Sequence, residues 1–204
     1  MGQLFTIGYS GQDIESFVRL LTNNAIDVVC DVRSTPFSSF KPDFSRAPLK
    51  ASLNSNNIRY VFLGSQLGAR PEDRTCYVNG QATYDRIAKS LFFHEGLKRV
   101  MDGVSKMNLA LVCSERDPLE CHRAILVCHN LPQLRDRITH IHGDGKLETQ
   151  EDFDERLVKH HGTAGPPLLR QPGDWEQAVE AAYTKQASAI AYRERGWDNR
   201  EEEE

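Results

Sequence analysis

Two thiols, three carboxylates, a histidine and two arginines crowd into the eleven residues Cys113–Arg123, CSERDPLECHR, around a single proline. The stretch directly follows MNLALV, an apolar run that reads as a buried strand. Each residue type offers a chemistry. An ionised thiol is a nucleophile or a metal ligand, a placed carboxyl moves protons, and an arginine fork grips phosphate or carboxylate. If the chain enters a helix near Leu119, the backbone N–H groups ahead of it attract anions and lower the pKa of a nearby thiol. On that reading Cys113 is a candidate thiolate, and Arg123 and Arg33 are candidate anion clamps. Taken singly, the residues have plainer uses: Cys113 and Cys128 as packed thiols, Asp117-Pro118 as a turn, His122 as a surface group. Glu115 and Arg123 taken together with Asp31 and Arg33 favour function.

Zinc is a natural thought for Cys113, Cys121 and His122. The two cysteines are eight residues apart, whereas zinc modules bring thiolates at two to four. The sequence reading is therefore of no metal and no cofactor. A dinucleotide-binding GxGxxG after the first strand, a GxxxxGK[ST] loop and a GxSxG elbow are all missing. A Cys-x5-Arg phosphate loop would need arginine where Leu119 stands.

The elements that would carry these groups follow from periodicity. Leu4–Ser10, Ile26–Val32, Ile58–Gly64, Met107–Ser114 and Arg137–Gly145 read as strands. Helical spacing appears between them: Ile14, Phe17, Val18 and Leu21 with Ser10 or Gln12 as cap, then Leu49 and Leu53. One long helix is expected from Ala82 to Gly103, and another over Leu119–Leu131. Continuous apolar runs such as IDVVCDV suit strands buried on both faces. The alternation predicts an α/β fold, a mainly parallel sheet with helices on both faces, plus a C-terminal helical appendage. The chain divides into an α/β domain over 1–148 and a helical tail over 149–204 with a Pro/Gly linker and an acidic end. In the tail Trp175, Val179, Tyr183, Ala187 and Ile190 form an apolar stripe. It is expected to dock on its own domain or, less favoured, on a second copy as a homodimer.

In open parallel sheets ligands bind beyond the carboxyl ends of the strands. There stand Tyr9 and Ser10, Asp31 and Arg33, Gly68 and Arg70, Cys113 and Glu115, and His142 and Asp144 in turn. One site is implied. Residues 1–150 hold 18 Lys and Arg against 16 Asp and Glu, and the remainder 7 against 13, so the net −4 belongs to the tail. That balance excludes a dedicated basic nucleic-acid binder but leaves room for a local anion pocket. No apolar run approaches the roughly 20 residues of a membrane helix. Five cysteines, an odd number, suit reduced thiols and a cytoplasmic location.

Four motifs in order, TIGYSG, DVRSTPFSSFKPDF, YVFLGSQLGAR and CSERDPLECHR, resemble those of the domain of unknown function 488 family, from about Thr6 to about Gly143. The matching positions are Gly8 and Ser10; Asp31, Arg33 and Pro36; Gly68 and Arg70; and Cys113, Glu115, Pro118, Cys121, His122 and Arg123. Where that family commonly has Ser-Arg after the proline loop, this chain has Ser38-Ser39. The resemblance implies a fold and a site, and no settled reaction.

The expected function is an enzyme acting on an anionic, nucleotide-like or nucleic-acid substrate by hydrolytic or glycosidic cleavage. Asp31, Glu115, Cys113 and His122 are its candidate catalytic residues, and Ser10, Arg33, Arg70 and Arg123 would bind substrate. A carboxylate beside arginines is expected to be ionised and to act as a base. The alternative is a non-catalytic module that senses a nucleotide or binds a protein partner. A purely structural Cys/His/Arg network is a third possibility.

Overall fold

The computed structural model describes residues 2–165 and 171–194. The first strand, β1 (Leu4–Gly8), leads into α1 (Ile14–Asn23), then β2 (Val28–Asp31), α2 (Arg46–Ser55) and β3 (Arg59–Phe62). A short α3 (Gly64–Leu67), a hairpin of β4 (Tyr77–Val78) and β5 (Gln81–Ala82), and helices α4 (Tyr84–Ala88) and α5 (Leu91–Val104) precede β6 (Leu109–Cys113). After it come β7 (Ile138–Ile141), β8 (Leu147–Thr149), α6 (Gln150–His161) and α7 (Asp174–Ile190). The six-stranded sheet has the order β3-β2-β6-β1-β7-β8. All pairings are parallel except β7 with β8.

Every residue of β1, β2 and β6 is buried, as their unbroken apolar runs require. Alternate side chains face opposite ways. Leu4, Val28, Cys30, Leu109 and Leu111 pack with Phe93, Leu97 and Val100 of α5, and with Phe153 of α6 and Val179 of α7. Phe5, Ile7, Val29, Ala110 and Val112 pack with Phe17 and Leu21 of α1 and Leu49 and Leu53 of α2. Helices thus cover both faces of an α/β sheet.

Several local expectations change. Asp13, not Ser10 or Gln12, caps α1, its carboxylate accepting from the Ser16 N–H at 2.7 Å. The single helix expected from Ala82 to Gly103 is two, because Ser90 adopts an extended backbone and caps α5 through the Phe93 N–H. The helix expected from Leu119 is a three-residue 3-10 turn, Pro118–Glu120, then an extended Cys121, then a π-helical turn over Arg123–Cys128. Its wider winding appears in the His129 N–H bonding to the Ala124 carbonyl five residues back. The antiparallel β8 was not expected from the sequence. Its three residues are too few for a periodic signal.

The apolar stripe of α7 docks on the same chain. Ala178, Val179, Ala182 and Tyr183 are buried. Tyr183 donates to Asp154 of α6 at 2.7 Å and stacks on His129 at 3.9 Å. Gln186 donates to the Leu119 carbonyl at 2.7 Å, which ties the helix to the loop that carries the cysteines. The acidic end, Glu201–Glu204, and part of the Pro/Gly linker lie outside the described residues. No helix among the described residues is long and apolar enough to cross a membrane.

Candidate functional site

The site lies where the sheet reverses its winding. From β1 the chain moves outward through β2 to the edge strand β3, then returns to insert β6 between β2 and β1. The carboxyl ends of β6 and its neighbours meet at this switch point, the usual ligand position in such sheets. Gly8 ends β1 there, against the Glu115 main chain. A methyl group at Gly8 would overlap the Glu115 carbonyl oxygen, so glycine is what lets the loop after β6 fold over β1.

Cys113, Glu115, Cys121 and His122 converge at that point. One ligand-capable atom from each lies within 4.8 Å of the others. His122 Nδ1 is 3.7 Å from Cys113 Sγ and 3.9 Å from Cys121 Sγ. Cys121 Sγ is 3.0 Å from Glu115 Oε2. His122 Nε2 is 3.0 Å from the Val32 carbonyl oxygen. Both cysteines and the histidine are buried, while Glu115 is partly exposed. All five cysteines are free thiols.

The electrostatics differ from the sequence expectation. The turn after Cys113 is a 3-10 turn, not the expected α-helix N-terminus, and the pKa of Cys113 is raised well above the ordinary thiol value by the Cys121 hydrogen bond and by burial. Cys121 is the depressed thiol instead. Burial opposes its ionisation, but the Cys113 hydrogen bond and the Arg123 charge outweigh burial. Burial disfavours charge on His122 as well, and Cys121 reverses that and raises its pKa. Glu115 is raised by burial and by the Cys121 charge. Cys121 Sγ donates to Glu115 Oε2, and the raised proton affinity of Glu115 moves it toward the role of a proton donor, where an ionised base was expected. The reason is geometric: Arg123 donates to the main-chain carbonyl of Glu115 at 2.7 Å.

The other predicted residues fall around this cluster. Arg123 is fully buried and also reaches the Arg116 carbonyl and the Thr6 hydroxyl, at 3.3 and 3.4 Å. Asp31 is fully buried and takes two hydrogen bonds from the Arg33 guanidinium at 2.9 and 2.6 Å, one from the Arg33 backbone N–H at 3.1 Å and one from Tyr60 at 2.8 Å. Arg33 also donates to the Phe44 carbonyl. This pair adjoins the cluster through Val32, whose carbonyl meets His122. Ser10 is exposed in the turn after β1, its N–H bonded to the Ser114 carbonyl. Arg70 is exposed, with its guanidinium 4.3 Å over the Tyr192 ring. Cys121 was not among the expected catalytic residues. The zinc-module spacing rule set it aside, and that rule describes local loops, whereas here a strand end and a later turn are joined by tertiary packing.

At the same edge, the segment after β2 exposes Phe37 and Phe40, at 68% and 97%. Exposed Arg46 lies 4.8 Å over the ring of Phe62, which ends β3, and exposed Arg116 stands three residues after β6. At the variant Ser38-Ser39 position, Ser38 shapes the loop by accepting the Lys41 N–H.

A switch-point α/β sheet with a Cys/Glu/Cys/His cluster beyond its central strand defines the class of protein. The family model described as Domain of unknown function DUF488 matches residues 13–129, more than half of the chain, and the chain belongs to that family. The matched span runs from the α1 cap through the π-helical turn, so it holds every cluster residue and omits β1, β7 and α7. No curated protein and no solved structure matches the chain.

Proposed function

We propose that this protein is a hydrolase of an anionic, nucleotide-like substrate, free or within a nucleic acid, with Glu115 as the proton donor to the leaving group. The observation that carries this reading is Glu115 itself. It is the partly exposed member of the cluster, and burial and the Cys121 charge beside it raise its proton affinity. A carboxyl of raised proton affinity is what glycosidic and related cleavages need at the departing atom. Arg46, Arg70 and Arg116 supply exposed positive charge beside the strand ends. The exposed Phe37 and Phe40 supply faces on which a base can stack. Arg33 and Arg123, buried and each making three side-chain hydrogen bonds to internal acceptors, hold the frame.

A screen of nucleotides, modified nucleosides and short oligonucleotides tests this reading, run with wild type and Glu115→Gln. Loss of a proton donor should lower turnover by roughly 100-fold or more. Equal turnover in both proteins removes Glu115 from the reaction. Binding without turnover in either protein favours the sensing module over the enzyme.

A further inference from the structure

The distances within the cluster are those of a coordination shell. Tetrahedral zinc, with bonds of about 2.3 Å to sulfur and about 2.0 Å to nitrogen or oxygen, separates its ligand atoms by roughly 3.3 to 3.8 Å. The close contacts among the four residues straddle that range: 3.7 and 3.9 Å from His122 Nδ1 to the two sulfurs, and 3.0 Å from Cys121 Sγ to Glu115 Oε2. All four ligand atoms lie within 4.8 Å of one another, so side-chain shifts of up to about 1 Å convert one arrangement into the other.

The outer contacts suit a metal as well. The Val32 carbonyl can only accept, so at 3.0 Å it fixes the N–H of His122 on Nε2 and leaves Nδ1 to face the sulfurs. A carbonyl on the far nitrogen of an imidazole is a common way of orienting a histidine ligand. Arg123 pins the carbonyls of Glu115 and Arg116, so the loop that brings the carboxylate is held in place. Its guanidinium also offsets part of the negative charge that two thiolates and a carboxylate would bring. The donor set is borderline-soft. Two sulfurs and an imidazole favour zinc and its near relatives over magnesium or calcium, which take oxygen ligands.

We propose that Cys113, Cys121 and His122 Nδ1 hold one divalent ion of the zinc class, with the Glu115 carboxylate closing a four-coordinate shell. Three ligands are sealed in the core, and Glu115 is not, so its position is the one that exchanges with solvent or substrate, and Glu115 can donate a proton only once it has left the ion. Closed shells serve structure and open ones serve chemistry. The coordination rests on geometry alone. Its use in catalysis rests on the hydrolytic function proposed above.

The test uses the full chain, reduced, stripped with a chelator and titrated with cobalt(II), then with zinc(II). One cobalt per chain is expected, with the visible bands of a tetrahedral ion and a thiolate-to-cobalt charge-transfer band, both abolished by one equivalent of zinc. Cys121→Ser should lose more than the roughly 10- to 100-fold in affinity typical of an outer-contact mutation, whereas Cys128→Ser should bind as wild type. Because Cys121 is buried and its variant could misfold, X-ray absorption on the wild-type zinc protein provides a count that needs no variant. A shell of two sulfurs and two light atoms is expected. Absence of stoichiometric cobalt binding, a charge-transfer band unchanged in a folded Cys121→Ser, or a shell without sulfur would each overturn the proposal. None of these readouts involves turnover, so their failure leaves Glu115→Gln to test hydrolysis separately.

Discussion

His140 should make the fold sensitive to mild acid. It lies on β7, fully buried, with Nδ1 2.8 Å from the Thr6 hydroxyl, its ring 4.7 Å from that of Phe153, and Nε2 without a hydrogen-bond partner among the described residues. Burial first, and then the Arg123 charge, push its pKa down to about 3 from an ordinary 6.5. The folded state therefore refuses a proton that the unfolded chain binds below about pH 6.5. Stability rises with pH wherever the unfolded state holds more protons, so this histidine costs nothing above 6.5 and progressively more from there down to about 3. Between pH 7 and pH 5 the loss works out at about 2 kcal/mol. His140→Asn keeps a polar group near Thr6 but cannot titrate. Urea unfolding of both proteins at the two pH values gives the answer as a double difference, in which every other titrating group is common and cancels. The stability gap between wild type and variant should shift by about 2 kcal/mol toward the variant at pH 5. A gap that stays constant within about 0.5 kcal/mol would refute the assignment of a buried neutral imidazole.

Three further outcomes follow from the same contacts. Arg33→Ala leaves the Asp31 carboxylate buried without its cation, so it should cost about 3–5 kcal/mol in a denaturant titration; a change below 1 kcal/mol would mean the pair is solvated. Gly8→Ala forces a methyl group into the Glu115 carbonyl and should destabilise by about 1–3 kcal/mol, read as a lowered melting temperature, with Gly162→Ala, next to which nothing lies within 4 Å but whose φ is 58°, as a contrast that reports backbone strain alone. Tyr183→Phe removes the hydroxyl bonded to Asp154 and Gln150 and should cost about 1–2 kcal/mol; an unchanged unfolding midpoint would argue that α7 is not docked as described.

Much of this protein could be read from the chain alone, for a physical reason. The strands of the inner sheet are continuous apolar runs, and the helices repeat every three to four residues, so burial on two faces or on one is written locally. That sufficed for the α/β class and for the side of the sheet on which the polar residues gather, while the family rested on the resemblance of four motifs. The crowding of ionisable residues in CSERDPLECHR was legible too, since its residue types lie together in the string. Which of its two thiols has the lowered pKa was not. Cys113 and Cys121 are chemically identical in sequence, and only the fold puts the Arg123 charge and the Cys113 thiol against a Cys121 that is itself buried. Arg33 and Arg123 looked like anion clamps because a string cannot reveal that their donors are taken by Asp31, Phe44 and the carbonyls of Glu115 and Arg116. The convergence of Cys113, Glu115, Cys121 and His122 was hidden for the same reason: a strand end, a 3-10 turn and a π-helical turn decide it together, and a spacing rule written for short loops cannot see distances set by tertiary packing.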